Sequence, residues 1–178
     1  MRKAIATLAL GIGILGAFGC GPAKGAGDPS SVGDGDGALE HFEHKEARVS
    51  ITVPKGWKSQ NDGKVFSVMT QQEDVAAAFT VVDEDSLGEA TKAVGKSLGE
   101  KIQNLTFGKE DKIEINGMKG VAVDGDGKMN GVDVDLMIVV LDTPVEGKAM
   151  MIIALAEDAK LAAHKAELKF LFQNIKPM

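Results

Sequence analysis

The chain has 178 residues, with 26 Asp and Glu against 20 Lys and Arg, a formal charge of −6, one cysteine and no tyrosine. An acidic balance excludes a nucleic-acid binder, whose phosphates demand clustered Lys and Arg, and a second electrostatic attachment to anionic lipid heads. A lone cysteine excludes an internal disulfide, so packing alone must hold the fold, and an aromatic content of 4% argues against a stacking platform for sugars or bases.

Met1-Arg2-Lys3 gives a short positive start to an apolar run, Ala4 to Phe18. At about 15 residues that run is shorter than the ~20 needed to span a bilayer core. A basic start, a short apolar stretch and small residues at its end are the pattern of an export signal, here 1–19. A retained membrane anchor is the competing reading. The junction Leu15-Gly-Ala-Phe-Gly-Cys20 resembles a bacterial lipobox, in which the cysteine thiol takes a diacylglycerol and becomes the mature N-terminus. Gly19 fits that pattern, whereas Ala17 and Phe18 depart from it. Ordinary signal-peptidase cleavage with an incidental Cys20 is the alternative. Acyl chains contribute ~0.8 kcal/mol per buried methylene, so two or more anchor stably without other membrane elements. Gly21-Pro22 places no Asp after the cysteine, which by resemblance implies the outer membrane facing the periplasm in a diderm host. Loss of Arg2 and Lys3 with the signal takes the formal charge from −6 to −8.

Residues 20–37 are dominated by Gly, Asp, Pro, Ser and Ala, with Val32 the one sizeable apolar side chain after Cys20. Such a stretch cannot bury enough surface to offset its ordering entropy, and reads as a flexible tether. One domain, 38–178, should follow. Ala47 to Val53 alternates as a strand, stopped by Pro54-Lys-Gly56 before Trp57. Strands are expected at Lys64–Thr70 and Val75–Val82. Leu87, Ala90, Val94, Leu98 and Ile102 then recur at helical spacing, with Ser86 and Glu89 as a capping box. Gly88, Gly95 and Gly99 weaken that helix by up to ~1 kcal/mol each, so it needs a sheet to dock on.

One or two strands are expected in Leu105–Ile115, then Met118–Asp124, Val132–Leu141 and Lys148–Ala156. Asn116-Gly117 and Asn130-Gly131 signal tight turns, and together these make an antiparallel meander. Met137–Leu141 and Met150–Leu155 are continuously apolar, as central strands covered on both faces are. Asp158, as N-cap, opens a closing helix to about Phe172 with Leu161, Lys165, Leu168 and Phe172 on its buried stripe. The expected fold is α+β: an antiparallel sheet of about six strands with two packed amphipathic helices.

Val49-Ser-Ile-Thr-Val-Pro-Lys-Gly-Trp57, an alternating strand ending in Pro-x-Gly-Trp, resembles the opening of PsbP-like and DcrB-like proteins. The order of hairpin, helix, meander and closing helix matches theirs from about Ala47 to Pro177. The resemblance implies an α/β/α domain on a fold that hosts photosystem accessory proteins, nuclear transport factors and bacterial lipoproteins. It implies binding or assembly rather than catalysis, and offers no catalytic residues to carry over.

Several clusters carry candidate chemistry. Glu40-His41-Phe-Glu43-His44-Lys-Glu46 holds two imidazoles and several carboxylates, donors that suit Zn²⁺ or Cu²⁺. His41 and His44 share a face on a helical turn but oppose each other on a strand, so a solvated lead-in is the plainer reading. Asp124-Gly-Asp126-Gly-Lys128-Met-Asn130-Gly131 suggests a calcium loop, but Lys128 falls at a ligand position in either register. A hairpin loop is expected there instead. Ser50, Ser59, Ser67 and Ser97 sit in no nucleophile elbow, and no Gly-rich phosphate loop opens a helix. His164 on the closing helix reads as structural or surface. Trp57 reads as a core cap rather than an exposed anchor. The expectation is a non-enzymatic lipoprotein without a cofactor, binding the membrane through lipidated Cys20 and a protein partner in the cell envelope. A small-molecule or metal-binding module is the first alternative, and a hydrolase built from distant carboxylates the second.

Overall fold

A computed structural model describes residues 39–178. The expected signal 1–19, Cys20 and the tether to Gly37 lie outside the described residues. The described chain runs β1 (His41–His44), β2 (Val49–Thr52), β3 (Lys58–Asn61), β4 (Val65–Met69), β5 (Val75–Asp83), α1 (Leu87–Gly99), β6 (Gln103–Ile115), β7 (Met118–Met129), β8 (Val132–Asp142), β9 (Lys148–Glu157), α2 (Asp158–Gln173) and β10 (Ile175–Pro177). Seven strands form one antiparallel sheet in the order β3-β4-β5-β9-β8-β7-β6, and β1-β2-β10 form a second.

The central strand dictates the layers. Met150, Ile152, Ala154 and Ala156 of β9 face one side, and Met151 and Leu155 the other, all buried. A strand apolar on both faces demands cover on both. On one side α1 lays Val94 and Leu98 against Met151, Leu155 and Leu136. On the other lie α2 and the small sheet, which brings Val49, Ile51 and Ile175 onto Phe66, Val68 and Ile152. Phe42 of β1 stacks on Phe66 with ring centroids 4.1 Å apart. The helix α1 carries the chain from β5 to the far edge, and the meander β6 to β9 returns to the centre.

The expected α+β architecture of an antiparallel sheet with two packed helices is present; the sheet has seven strands, and a second sheet of three lies beside it. Three short strands, β1, β3 and β10, lie outside the expected set. Residues 41–44 form β1 by pairing with Val49–Thr52. The strand β10 pairs with the same β2 from the far end of the chain. The strand β3, Lys-Ser-Gln-Asn, has no apolar alternation and exists through its pairing with β4. Asp158 is the first helical residue of α2 rather than its cap; Glu157 holds the cap position, without a side-chain cap bond.

The stretch Asp124–Met129 is strand, not loop. The turn is confined to Asn130-Gly131, with φ of 52° and 84°, and Asn116-Gly117 turns in the same way, with φ of 50° and 84°. These paired left-handed residues are what a two-residue hairpin requires. Gly125 and Gly127 serve close approach instead, because β6 crosses β7 through two register shifts. A Cβ on Gly125 would lie 2.7 Å from the Thr106 carbonyl oxygen. Gly125→Ala should lower stability by about 1–3 kcal/mol, the range for overpacking, as read from thermal unfolding.

Trp57 is 4% exposed within the main core. Its indole N–H is buried with no hydrogen-bond partner among the described residues. An unmade buried bond costs about 1–3 kcal/mol, so packed surface is what the ring contributes. Trp57→Ala should cost about 3 kcal/mol or more, within the range for deleting large aromatics. Urea unfolding followed by circular dichroism measures it; an unchanged midpoint would mean that the ring is not a core element.

Candidate functional site

The helix α2 sits loosely on the sheet. Leu171 is its buried residue, whereas Leu161, Leu168 and Phe172 are half-buried. Beneath it the sheet offers small side chains, Ala154 and Ala156 of β9, which cannot fill the space up to the helix. The result is an open groove of about 840 Å³, floored by those alanines with Val75 and Met137. Leu161 and Phe172 form part of the helical wall.

Strand register decides what stands at the groove's end. In antiparallel pairing, residues directly opposite one another share a face. One row across the sheet reads Val75, Ala156, Asp135, Asp126, and the next reads Ala77, Ala154, Met137, Asp124. Apolar floor thus grades into carboxylates from β9 towards β7. Asp158, in the first turn of α2, completes the acidic end, and Lys165 and Lys169 line the groove farther along the helix.

Burial, then the charge of Asp158 and a side-chain hydrogen bond with it, then the charges of Asp126 and Asp124, push the Asp135 carboxyl above its ordinary value of 3.8. The opposed Asp126–Asp135 pair is a like-charge contact of the kind that weakens a sheet. Partial relief comes from Thr106, whose hydroxyl donates to Asp126 at 2.9 Å. The neighbouring cation Lys128 is engaged by Asp133 at 2.6 Å. Among the described residues no Lys or Arg forms an ion pair with Asp124, Asp135 or Asp158.

The cluster singled out in sequence is dispersed. His41 is exposed with Nδ1 3.2 Å from the Thr52 hydroxyl. His44 accepts the Ala47 N–H at 3.3 Å and lies beside Phe42 on the other face of β1. Glu40 accepts a bond from the Ser59 hydroxyl at 2.6 Å. Strand period two separates the two imidazoles, and no group of three or more His, Cys, Asp or Glu among the described residues is placed to hold a metal. The groove itself is lined from five separate elements and has no sequence motif of its own. Asp124 and Asp126 were visible as an alternation, but only register sets them beside Asp135 and Asp158.

No protein-family model matches the chain, and no curated protein matches its sequence. Solved structures do match its shape. Cyanobacterial PsbP (CyanoP) from Synechocystis sp. PCC 6803 is similar with a TM-score of 0.57 at 11% identity, over 89% of this chain and 100% of that one. The fold is PsbP-like. LpqN, involved in cell envelope biogenesis of Mycobacterium tuberculosis, has a TM-score of 0.54 at 11% identity, over 78% of this chain and 90% of that one. A Bacteroides thetaiotaomicron protein matches with a TM-score of 0.54 at 11% identity over 78% of this chain; the match spans 48% of its own length, about half.

In this PsbP-like domain a polar latch at the middle of α2 fixes it beside the groove, and the Asn116 amide, donating to the Gln173 carbonyl at 2.9 Å, ties its end. His164 sits 2.5 Å from Glu167 and 3.4 Å from Asp74, which accepts the Thr70 hydroxyl at 2.6 Å. The Glu167 bond raises the imidazole above its ordinary 6.5; burial opposes this and the Asp74 charge adds to it. Burial works against the Asp74 carboxylate, but the Thr70 bond and the imidazole outweigh it and hold it below 3.8. The imidazole's contribution is full below 6.5 and is lost as pH rises through its raised folded-state value; the carboxylate's is present above 3.8 and is lost as pH falls through its lowered one. The stability margin of wild type over His164→Gln should therefore shrink as pH rises from about 6 to about 9, as measured by thermal unfolding.

Asp135 has the opposite sign. A raised carboxyl pKa means that the folded state binds the proton better, so its cost is present at neutral pH and fades as pH falls through the raised value towards 3.8. Asp135→Asn should raise the unfolding temperature at neutral pH, with the gain disappearing near pH 4.

Proposed function

We propose that this chain is an exported lipoprotein, anchored through acylated Cys20, whose PsbP-like domain is a non-enzymatic accessory module gripping a protein of the cell envelope through the α2 groove. The observation that carries the reading is the groove: an open apolar channel between a helix and a sheet, with charge gathered at one end. LpqN, described as involved in cell envelope biogenesis, shares the fold, and the leader supplies the export pattern. No helix among the described residues is long and apolar enough to cross a membrane, and attachment is assigned to the lipid on Cys20. In a diderm host the module would stand on the outer membrane, facing the periplasm.

A small-molecule module is the second reading, favoured by the groove's volume of about 840 Å³, which falls within the range of ligand pockets. Native mass spectrometry of the purified full-length chain separates the two, since a retained small molecule would favour the module.

Cells fed radiolabelled palmitate should label the wild-type chain and not Cys20→Ser, which should partition into the aqueous fraction. Equal labelling of both would remove the anchor. A photo-crosslinking residue in place of Leu168, tested in native membranes, should capture one envelope protein, with capture reduced when Cys20→Ser is added.

A further inference from the structure

The groove differs along its length in a way that restricts its occupant. Asp158 and Lys169 are eleven positions apart on α2, about 16 Å at 1.5 Å per residue. Asp124, Asp135 and Asp158 stand at one end, and Lys165 and Lys169 line the helical wall towards the other. The floor of Ala154, Ala156 and Met137 is without charge and lies beside the carboxylates across the strands, Ala156 opposite Asp135 and Met137 opposite Asp124. From Asp158 to Phe172 the wall is about 20 Å long, the span of roughly six residues of extended chain. Lys128, two residues beyond Asp126 on β7, is already engaged by Asp133.

We propose that the groove binds an extended apolar segment of a partner protein, with a Lys or Arg of that segment seated among Asp124, Asp135 and Asp158. This rests on the adaptor reading and names the chemistry that the partner presents. A basic side chain supplies the charge that the carboxylates lack, and its aliphatic stem covers the apolar floor beside them. The lysines at the other end suit an acidic group on the same segment, so the groove sets a direction. An amphiphile with a single head group would use one end alone. The carboxylates are arrayed along strand and helix rather than gathered round one point, which suits a long cationic side chain better than a metal ion.

The test uses the full-length lipidated protein in detergent and two fluorescein-labelled peptides, Lys-Leu-Val-Leu-Val-Glu and its neutral counterpart Gln-Leu-Val-Leu-Val-Gln. Fluorescence anisotropy at low salt should give the charged peptide about tenfold tighter binding, and added salt should erode the difference. Asp135→Asn should weaken the charged peptide severalfold and leave the neutral one unchanged. Because that variant is expected to be at least as stable as wild type, lost binding cannot be put down to unfolding. Equal affinity for both peptides, or no effect of Asp135→Asn, overturns the proposal. So does binding of dodecylammonium by a groove that takes neither peptide, which would make the occupant a small amphiphile. If an envelope protein is captured at Leu168 but the peptides are not distinguished, the adaptor stands and this chemistry falls. A charged-peptide preference with no envelope protein captured leaves the chemistry standing and removes the adaptor.

Discussion

The structure depends on the burial of β9 between β5 and β8. Each face of that strand presents apolar side chains, and neither can be left to water. Full burial of a Met, Ile or Leu side chain is worth roughly 1.5–3 kcal/mol, and β9 supplies Met150, Met151, Ile152 and Leu155 in succession. One helix cannot cover both sides of a sheet. The chain meets the demand by sending α1 across one face and returning α2 with the small sheet over the other. The small sheet closes because β10, at the C-terminus, pairs with β2 near the start of the domain.

The two ends of β9 are not equivalent. Large Met150 and Ile152 meet β2 and Trp57 in a dense core, whereas Ala154 and Ala156 leave room beneath α2. The helix is therefore held firmly at Leu171 and, towards its middle, by the His164 latch to the β4–β5 turn. A helix fastened at these points above a floor of alanines is a natural wall for a channel. The groove is thus a product of side-chain size at two positions of a strand that elsewhere packs tightly.

Charge follows the same geometry. Carboxylates directly opposite one another on β7 and β8 cost stability, and the chain adds a third in the first turn of α2. Acidic residues in that turn complement the helix dipole, which offsets part of the repulsion. Thr106 offsets another part, yet Asp135 remains protonated more readily than a free carboxyl. Local rules of sheet design are broken at the place where the groove opens, which is where function is most often found.

Local sequence was enough to place most of the longer segments. Alternation marked β2, apolar residues between turn signals marked β4 and β5, the switch to a spacing of three and four marked α1, and two Asn-Gly pairs marked the hairpins on either side of β7. These signals are local, since they depend on backbone conformation and on which face of one element is apolar. The proposed leader, lipidation of Cys20 and tether rest on composition and order alone. What tertiary structure decided is whatever depends on pairing between distant segments. The strands β1, β3 and β10 have little apolar pattern of their own and exist through their neighbours. Gly125 and Gly127 resemble turn residues until β6 is laid across them. His41 and His44 resemble a ligand pair until a strand turns them apart. Asp126, Asp135 and Asp158 are scattered in sequence and meet because register and the start of α2 bring them together. The groove, being a space between elements, has no residue pattern from which a sequence could declare it.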